Sequence, residues 1–219
     1  MVPRKANTPT LTRDQIVAAA ITLVDRDGLS ALSMRKLATE LGVGAMSLYY
    51  HVPDKSALYD LILDAGLGEV DLSTDDPAKP VATRVANIAC AIRDALLRHP
   101  NAAILAMSRS LRTPAQLRPV ERLLQILTEA GLSDADAMQA VNVIGQYAVA
   151  VTTMNASQLT SSEYQDPDTA LDFGELRPDE FPCMMRAMQH PEEFRGWDSD
   201  FEAGLAALIA GLAINRIPS

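Results

Sequence analysis

The residues whose types and spacing best suit chemistry lie in the stretch Ala45–His51, AMSLYYH, where one leucine is surrounded by a serine, two tyrosines and a histidine. Ser47, Tyr49, Tyr50 and His51 offer hydroxyls, a ring donor and flat apolar faces, while Leu48 falls at the position that faces a core. Arg35 and Lys55 flank the stretch, each near an expected helix N-terminus, where backbone amides and the positive end of the dipole also suit a phosphate. Together these groups could clamp a nucleic-acid backbone and lay rings and hydroxyls against base edges. A short tyrosine-rich helix is also a common core element, and the spacing alone leaves both readings open.

Other chemistry finds little support. His99, just before Pro100, reads as a helix C-terminal cap, and His190 as a surface residue. No two histidines or cysteines have chelating spacing, so no metal and no cofactor is expected. Neither a Ser, His and Asp arrangement nor a glycine-rich phosphate loop occurs. Cys90 and Cys183 read as buried small apolar groups in a reducing compartment.

Positioning such a stretch requires helices before and after it, and helical periodicity dominates the chain. A first helix opens at Thr12 with Gln15 completing a capping box, buries Ile16, Ala20, Leu23 and Val24, and stops at Gly28. A second follows Ser33 with Met34, Leu37, Ala38 and Leu41 inward and stops at Gly42. The Gly42-Val43-Gly44 turn leads into Ala45–His51, which Pro53 ends; Asp54 then caps a fourth helix carrying Leu58, Leu61, Ile62 and Ala65. Three helices with a glycine turn before the third make a helix-turn-helix if the third projects its first turn outward.

Residues 71–80, rich in Ser, Thr, Asp and Pro, mark a loop too short to be a free linker, so packed domains are expected over 1–70 and 71–219. Further helices are expected over 81–98, 102–110, 114–130, 133–156, 179–189 and 197–216. Residues 157–180 form a long connection that suits either a mobile lid or disorder. With no alternating strand pattern, the fold class is all-α.

Of 219 residues 48% are hydrophobic and 21% charged, and mean hydropathy is +0.03, which argues against disorder and against a membrane protein. The polar N-terminus shows no signal peptide, which makes the cytoplasm the expected location. The net charge of -9 disfavours a protein that coats nucleic acid with its whole surface. Yet residues 1–60 hold 7 Lys and Arg against 6 Asp and Glu, and the remainder 12 against 22. A near-neutral first unit can approach phosphate while an acidic body is held away from the duplex.

The stretch LSMRKLATELGVGAMSLYYHVPDKSALYDLI, with LTRDQIVAAAITLVDRDGLSAL before it, resembles the DNA-binding unit of the tetracycline-repressor (TetR) family, over nearly all of residues 11–65. The resemblance implies phosphate contacts by Arg35, Ser47, Tyr49 and Lys55, with Ala45, Met46, Tyr50 and His51 at or near bases. Ala45 and Met46 depart from the glutamine and proline of the tetracycline repressor, which removes a glutamine contact to a base edge and implies a different operator. Weaker similarity through ALLRHP, ILTEAGLSDADAMQAV and the last helix implies that branch's ligand-binding and dimerisation domain.

In that family two helices of each subunit form an intermolecular four-helix bundle. Two stripes suit this: Phe201, Leu205, Leu208, Ile209 and Leu212, and Ala140, Val143, Ile144, Tyr147 and Val151. The alternative is that both stripes are intramolecular core. Positions matching the family's ligand contacts are Ile88, Ile92, Ala106, Arg109, Leu123, Val141 and Gly145. The repressor's metal-binding histidine falls at Ala106 and its glutamate at Met154, so a magnesium-tetracycline chelate is not expected. The expected effector is mostly apolar, with Asn142, Gln146 and Arg109 to orient it; the first two could instead bond across a dimer interface, and Arg109 could be a solvated charge.

The expected protein is thus a one-component, ligand-responsive repressor that binds a palindromic operator as a homodimer. An enzyme with a helical pocket would differ by turning over a bound molecule, and a helical scaffold by lacking salt-sensitive DNA affinity.

Overall fold

The computed structural model describes residues 11–160, 177–187 and 197–212. Among these the regular elements are ten α-helices and two 3-10 turns, and no strand occurs. The helices are α1 (Arg13–Asp27), α2 (Met34–Glu40), α3 (Ala45–His51), α4 (Lys55–Gly68), α5 (Val81–Leu97), α6 (Pro100–Ser108), α7 (Pro114–Glu129), α8 (Asp134–Thr160), α9 (Pro182–Ala187) and α10 (Trp197–Gly211).

Local sequence explains the boundaries of the first four. The Thr12 hydroxyl accepts from the Gln15 amide while the Thr12 amide donates to Gln15 Oε1, the reciprocal pair of a capping box. Ser33 caps α2 through the Lys36 amide, and Asp54 caps α4 through the Ala57 amide at 2.7 Å. Between α2 and α3 the chain turns through Gly42 at φ 65°, a left-handed conformation that any side chain would strain. Arg26 bridges Asp27 and Glu40, and Lys36 reaches Asp27, which ties α1 to α2. The Arg26 guanidinium holds the Asp27 carboxyl well below the usual carboxylate range.

Two apolar clusters result. Ile16, Ala20, Leu23, Val24, Leu37, Ala38, Leu48 and Leu58 form a head, and the inner faces of α5, α7, α8 and α10 form a body. Helix α4 belongs to both, with Leu58 and Ile62 in the head cluster and Leu63 and Leu67 in the body cluster. Leu105 of α6 returns the contact by packing into the head.

The 71–80 loop is anchored. Asp75, its side chain fully buried, accepts from Arg84 Nε at 2.6 Å and pairs with Arg122 at 2.5 Å, which pins the loop to α5 and α7.

Several sequence expectations are corrected. The helix expected over 133–156 runs to Thr160, that over 102–110 starts at Pro100, and that over 179–189 shortens to Pro182–Ala187. The remainder of the expected lid, 161–176, lies outside the described residues, as does His190. His99 is not a C-terminal cap: it stands at the N-terminus of α6 with Nδ1 3.1 Å from Asp25 of α1. Cys183 is exposed and Cys90 half-buried, burial pushing the Cys90 thiol up.

The two stripes expected to pair between subunits are largely spent within the chain. Phe201, Leu205, Ile209, Ala140 and Ile144 are buried in the body, and Tyr147 stacks on Phe201 with ring centroids 5.4 Å apart. The Tyr147 hydroxyl donates toward the carbonyls of Asp200 and Phe201, and Gly204 leaves room for it, since a Cβ there would sit 2.1 Å from that oxygen. The outward face of α10 is instead a run of small residues, Ala203, Ala206, Ala207 and Ala210.

Candidate nucleic-acid interface and ligand cavity

Helix α3 buries Leu48 completely, half-buries Ala45 and His51, and turns its other residues outward. Met46 is 82% exposed and Tyr50 88% exposed, and Tyr49 and Ser47 are also exposed. Apolar groups this large, displayed side by side on a rigid helix, mark a surface meant for contact. Tyr50 meets the His51 ring edge-on at 5.4 Å. Arg35 is the second residue of α2 and Lys55 the first of α4, so both cations stand at helix N-termini on either side of α3. Lys55 lies 5.3 Å from the Tyr59 ring centroid, which holds it near the start of α4. The eight expected positions, Arg35, Ala45, Met46, Ser47, Tyr49, Tyr50, His51 and Lys55, therefore fall on three adjoining helices, and the arrangement can present donors to phosphate and side chains to base edges.

In the body, α6, α7 and α8, with Leu67 of α4 and Ile92 of α5, line a half-open cavity of about 550 Å³. Ile92, Ala106, Val141, Asn142, Gly145 and Gln146 line it. Three expected positions do not. Ile88 and Leu123 are fully buried in the body core, behind the wall, because their helices turn those faces toward each other and α8. Arg109 follows the end of α6 and points away to α4, pairing with Asp60 at 2.6 Å and donating to the Ser56 hydroxyl at 2.9 Å. It is thus an ion-paired residue outside the cavity lining rather than a solvated charge.

The sequence reading missed Met107, Leu117, Met138 and, above all, Gln116. Gln116 sits on the stripe of α7 that buries Pro119, Leu123, Ile126 and Leu127, and a polar residue within such a stripe was the available signal. Its amide Nε2 donates to Asp64 at 2.6 Å and to the Asp60 carbonyl at 3.3 Å, while its Oε1 accepts from the Arg112 amide at 2.8 Å. The Thr113 hydroxyl also donates to Asp64. Along the same seam Arg98 donates to Glu69 at 2.7 Å, keeping that carboxyl below its ordinary range. One wall residue of the cavity is therefore part of the polar seam that joins the body to α4.

No helix among the described residues is long and apolar enough to cross a membrane, and none of their His, Cys, Asp and Glu side chains gather as a metal site.

An outward α3 between two cation-bearing helix N-termini, set on a helical body, defines the class of helix-turn-helix DNA-binding regulators. Comparison with known proteins agrees. Residues 16–62 match the family described as bacterial regulatory proteins, tetR family, and residues 75–216 match the tetracyclin repressor-like C-terminal domain. An HTH-type transcriptional regulator of Saccharopolyspora erythraea is 35% identical over 205 residues, 94% of this chain and 86% of that protein. The HTH-type transcriptional repressor DrrR1 of Streptomyces coeruleorubidus is 32% identical, over 97% of this chain and 81% of its own. Among solved structures, ActR of Streptomyces coelicolor in complex with actinorhodin superposes with a TM-score of 0.76 at 31% identity, covering 94% of this chain and 98% of that one. The chain belongs to the TetR family of transcriptional regulators, whose named members here are regulators and repressors and not enzymes.

Proposed function

We propose that this protein is a cytoplasmic repressor that binds a palindromic operator as a homodimer and is released by a small, mostly apolar effector. In this reading residues 1–70 read DNA, and residues 71–219 bind the effector and dimerise. Arg35, Ser47, Tyr49 and Lys55 hold phosphates, whereas Ala45, Met46, Tyr50 and His51 set sequence preference. The effector occupies the cavity lined by Ile92, Ala106, Val141 and Gly145. Subunits meet through α8 and through the outward alanines of α10, whose small side chains permit close helix approach.

One observation carries the regulatory half: Gln116 is at once a wall of the cavity and a donor to Asp64 and Asp60 of α4, the helix that starts at Lys55. A ligand that shifts α7 must strain or break these bonds and so bias the tilt of the head. In a dimer, two recognition helices that no longer match successive major grooves, about 34 Å apart, lose operator affinity. The link is thermodynamic, so operator DNA must weaken the effector by the same factor that effector weakens operator, about 5 to 150-fold in coupled systems.

The test is to measure both affinities with and without the other ligand in one buffer. Equal factors above 5 are expected, and an effector that binds the cavity without changing operator affinity overturns the regulatory reading. Ala207→Glu tests the dimer: a variant that remains dimeric at micromolar concentration by sedimentation excludes this face of α10.

A further inference from the structure

We propose that the compound recognised by the cavity is uncharged, with an apolar body and one oxygen-bearing edge that Asn142 and Gln146 read together. This rests on the reading of the α6, α7 and α8 cavity as the effector site, and it names the chemistry which that site selects.

None of the sixteen lining residues is ionisable and none is aromatic. A carboxylate, phosphate or ammonium placed here would give up its water against methyl and thioether groups with no counter-charge among the described residues of the wall. Of the charges nearby, Arg109 is paired with Asp60, and Asp64 accepts from the Thr113 hydroxyl and the Gln116 amide. The body also carries 22 acids against 12 bases beyond residue 60, a field that disfavours anions on approach.

Among the described residues three carboxamides line the cavity. Gln116 is spent, with both its amide nitrogen and its oxygen engaged in the seam to α4 and to the Arg112 amide. Asn142 and Gln146 have no such hydrogen bonds among the described residues, and both are exposed at the open side of the cavity. Standing at i and i+4 on α8, they lie on one face, about 6 Å apart. Each offers two donors and an acceptor, which suits carbonyl and hydroxyl oxygens spaced along one edge of a ligand.

A pure hydrocarbon filling the cavity would cover both amides without partners, at about tenfold or more in affinity for each. The rest of the wall is permissive. Met107, Leu117 and Met138 form a half-open apolar rim, and the unbranched thioethers adapt to varied ring outlines. Selection therefore falls on the amide edge rather than on the shape of the body.

Three probes sharing one three-ring frame test this by titration calorimetry on the full chain: 1,8-dihydroxyanthraquinone, anthracene and anthraquinone-2-carboxylate. The dihydroxy quinone is expected to bind at least tenfold more tightly than either of the others. Asn142→Leu with Gln146→Leu should bring it to the level of anthracene with the oligomeric state unchanged, and Asn142→Ala with Gln146→Ala serves if the leucines alter the melting curve. Equal or tighter binding of the hydrocarbon or the carboxylate overturns the proposal and leaves the cavity as effector site. Retention of the preference in the double variant, or its dissociation to monomers, also overturns it, the latter assigning the amides to a subunit interface. Binding of no probe overturns both the proposal and the effector reading, without touching operator binding.

Discussion

On the outward face of α3, Met46, Ser47, Tyr49 and Tyr50 are exposed and make no side-chain hydrogen bond among the described residues. Along the seam between α4 and the α6 and α7 region the opposite holds: Asp60, Asp64, Arg109, Thr113 and Gln116 are bonded to one another. A surface with available donors and rings can meet an outside partner, whereas a joint whose polar groups are bonded to one another is held in one arrangement. Substitutions on the first should change recognition with little effect on stability, and substitutions on the second should do the reverse.

The largest effect is expected at the anchor beside the seam. Asp75→Ala strands Arg84 and Arg122 around a buried vacancy, and about 3 kcal/mol of unfolding free energy should be lost, read from urea denaturation. The same carboxyl gives a pH dependence. The hydrogen bond from the Arg84 guanidinium holds its folded-state pKa below the ordinary carboxylate value, so its stabilisation is complete above the unfolded pKa and disappears as pH falls through the lower folded one. Wild type should lose stability steeply in that acid range, and Asp75→Ala should do so less. Parallel acid-unfolding curves would assign the loss to other carboxylates.

Next, Gln116→Ala removes a donor from Asp64 and the Asp60 carbonyl, and about 1–3 kcal/mol of stability should go with it. The factor by which effector lowers operator affinity should fall in the same variant. An unchanged factor would place the coupling elsewhere along α4.

On the exposed face, Met46→Gln should leave the melting temperature within error and restore a side chain able to pair with a base edge, shifting preference among operators by about 1–3 kcal/mol. Binding to a panel of half-site variants reads this, and an unaltered ranking would remove Met46 from the base contacts. The smallest effect belongs to Lys55→Ala, which should weaken all sequences alike and reduce the salt slope of operator binding by about one. Equal slopes would show that Lys55 does not reach phosphate.

Much of the head was legible because its signals are local. Thr12 with Gln15, Ser33, Gly42, Pro53 and Asp54 each start or stop a helix through bonds within a few residues, and the observed boundaries of α1 to α3 follow them closely. The body was legible as helices but less so as faces. Phe201, Leu205 and Ile209 form a stripe with the right period for a subunit interface, yet period cannot say whether the facing helix belongs to the same chain, and here it does.

The amino-acid sequence by itself determined the helical class, the caps and turns of the DNA-reading head and the family, since each depends on residues close in the chain or on a long matched stretch. Only the tertiary structure decided which side chains meet across it. Arg109, expected at the ligand, lies 49 residues from its partner Asp60, and Gln116 lies 52 residues from Asp64. His99 reaches Asp25 across 74 residues. Pairings at such separations follow from how two apolar faces share α4, a choice of packing that no local spacing of residues encodes.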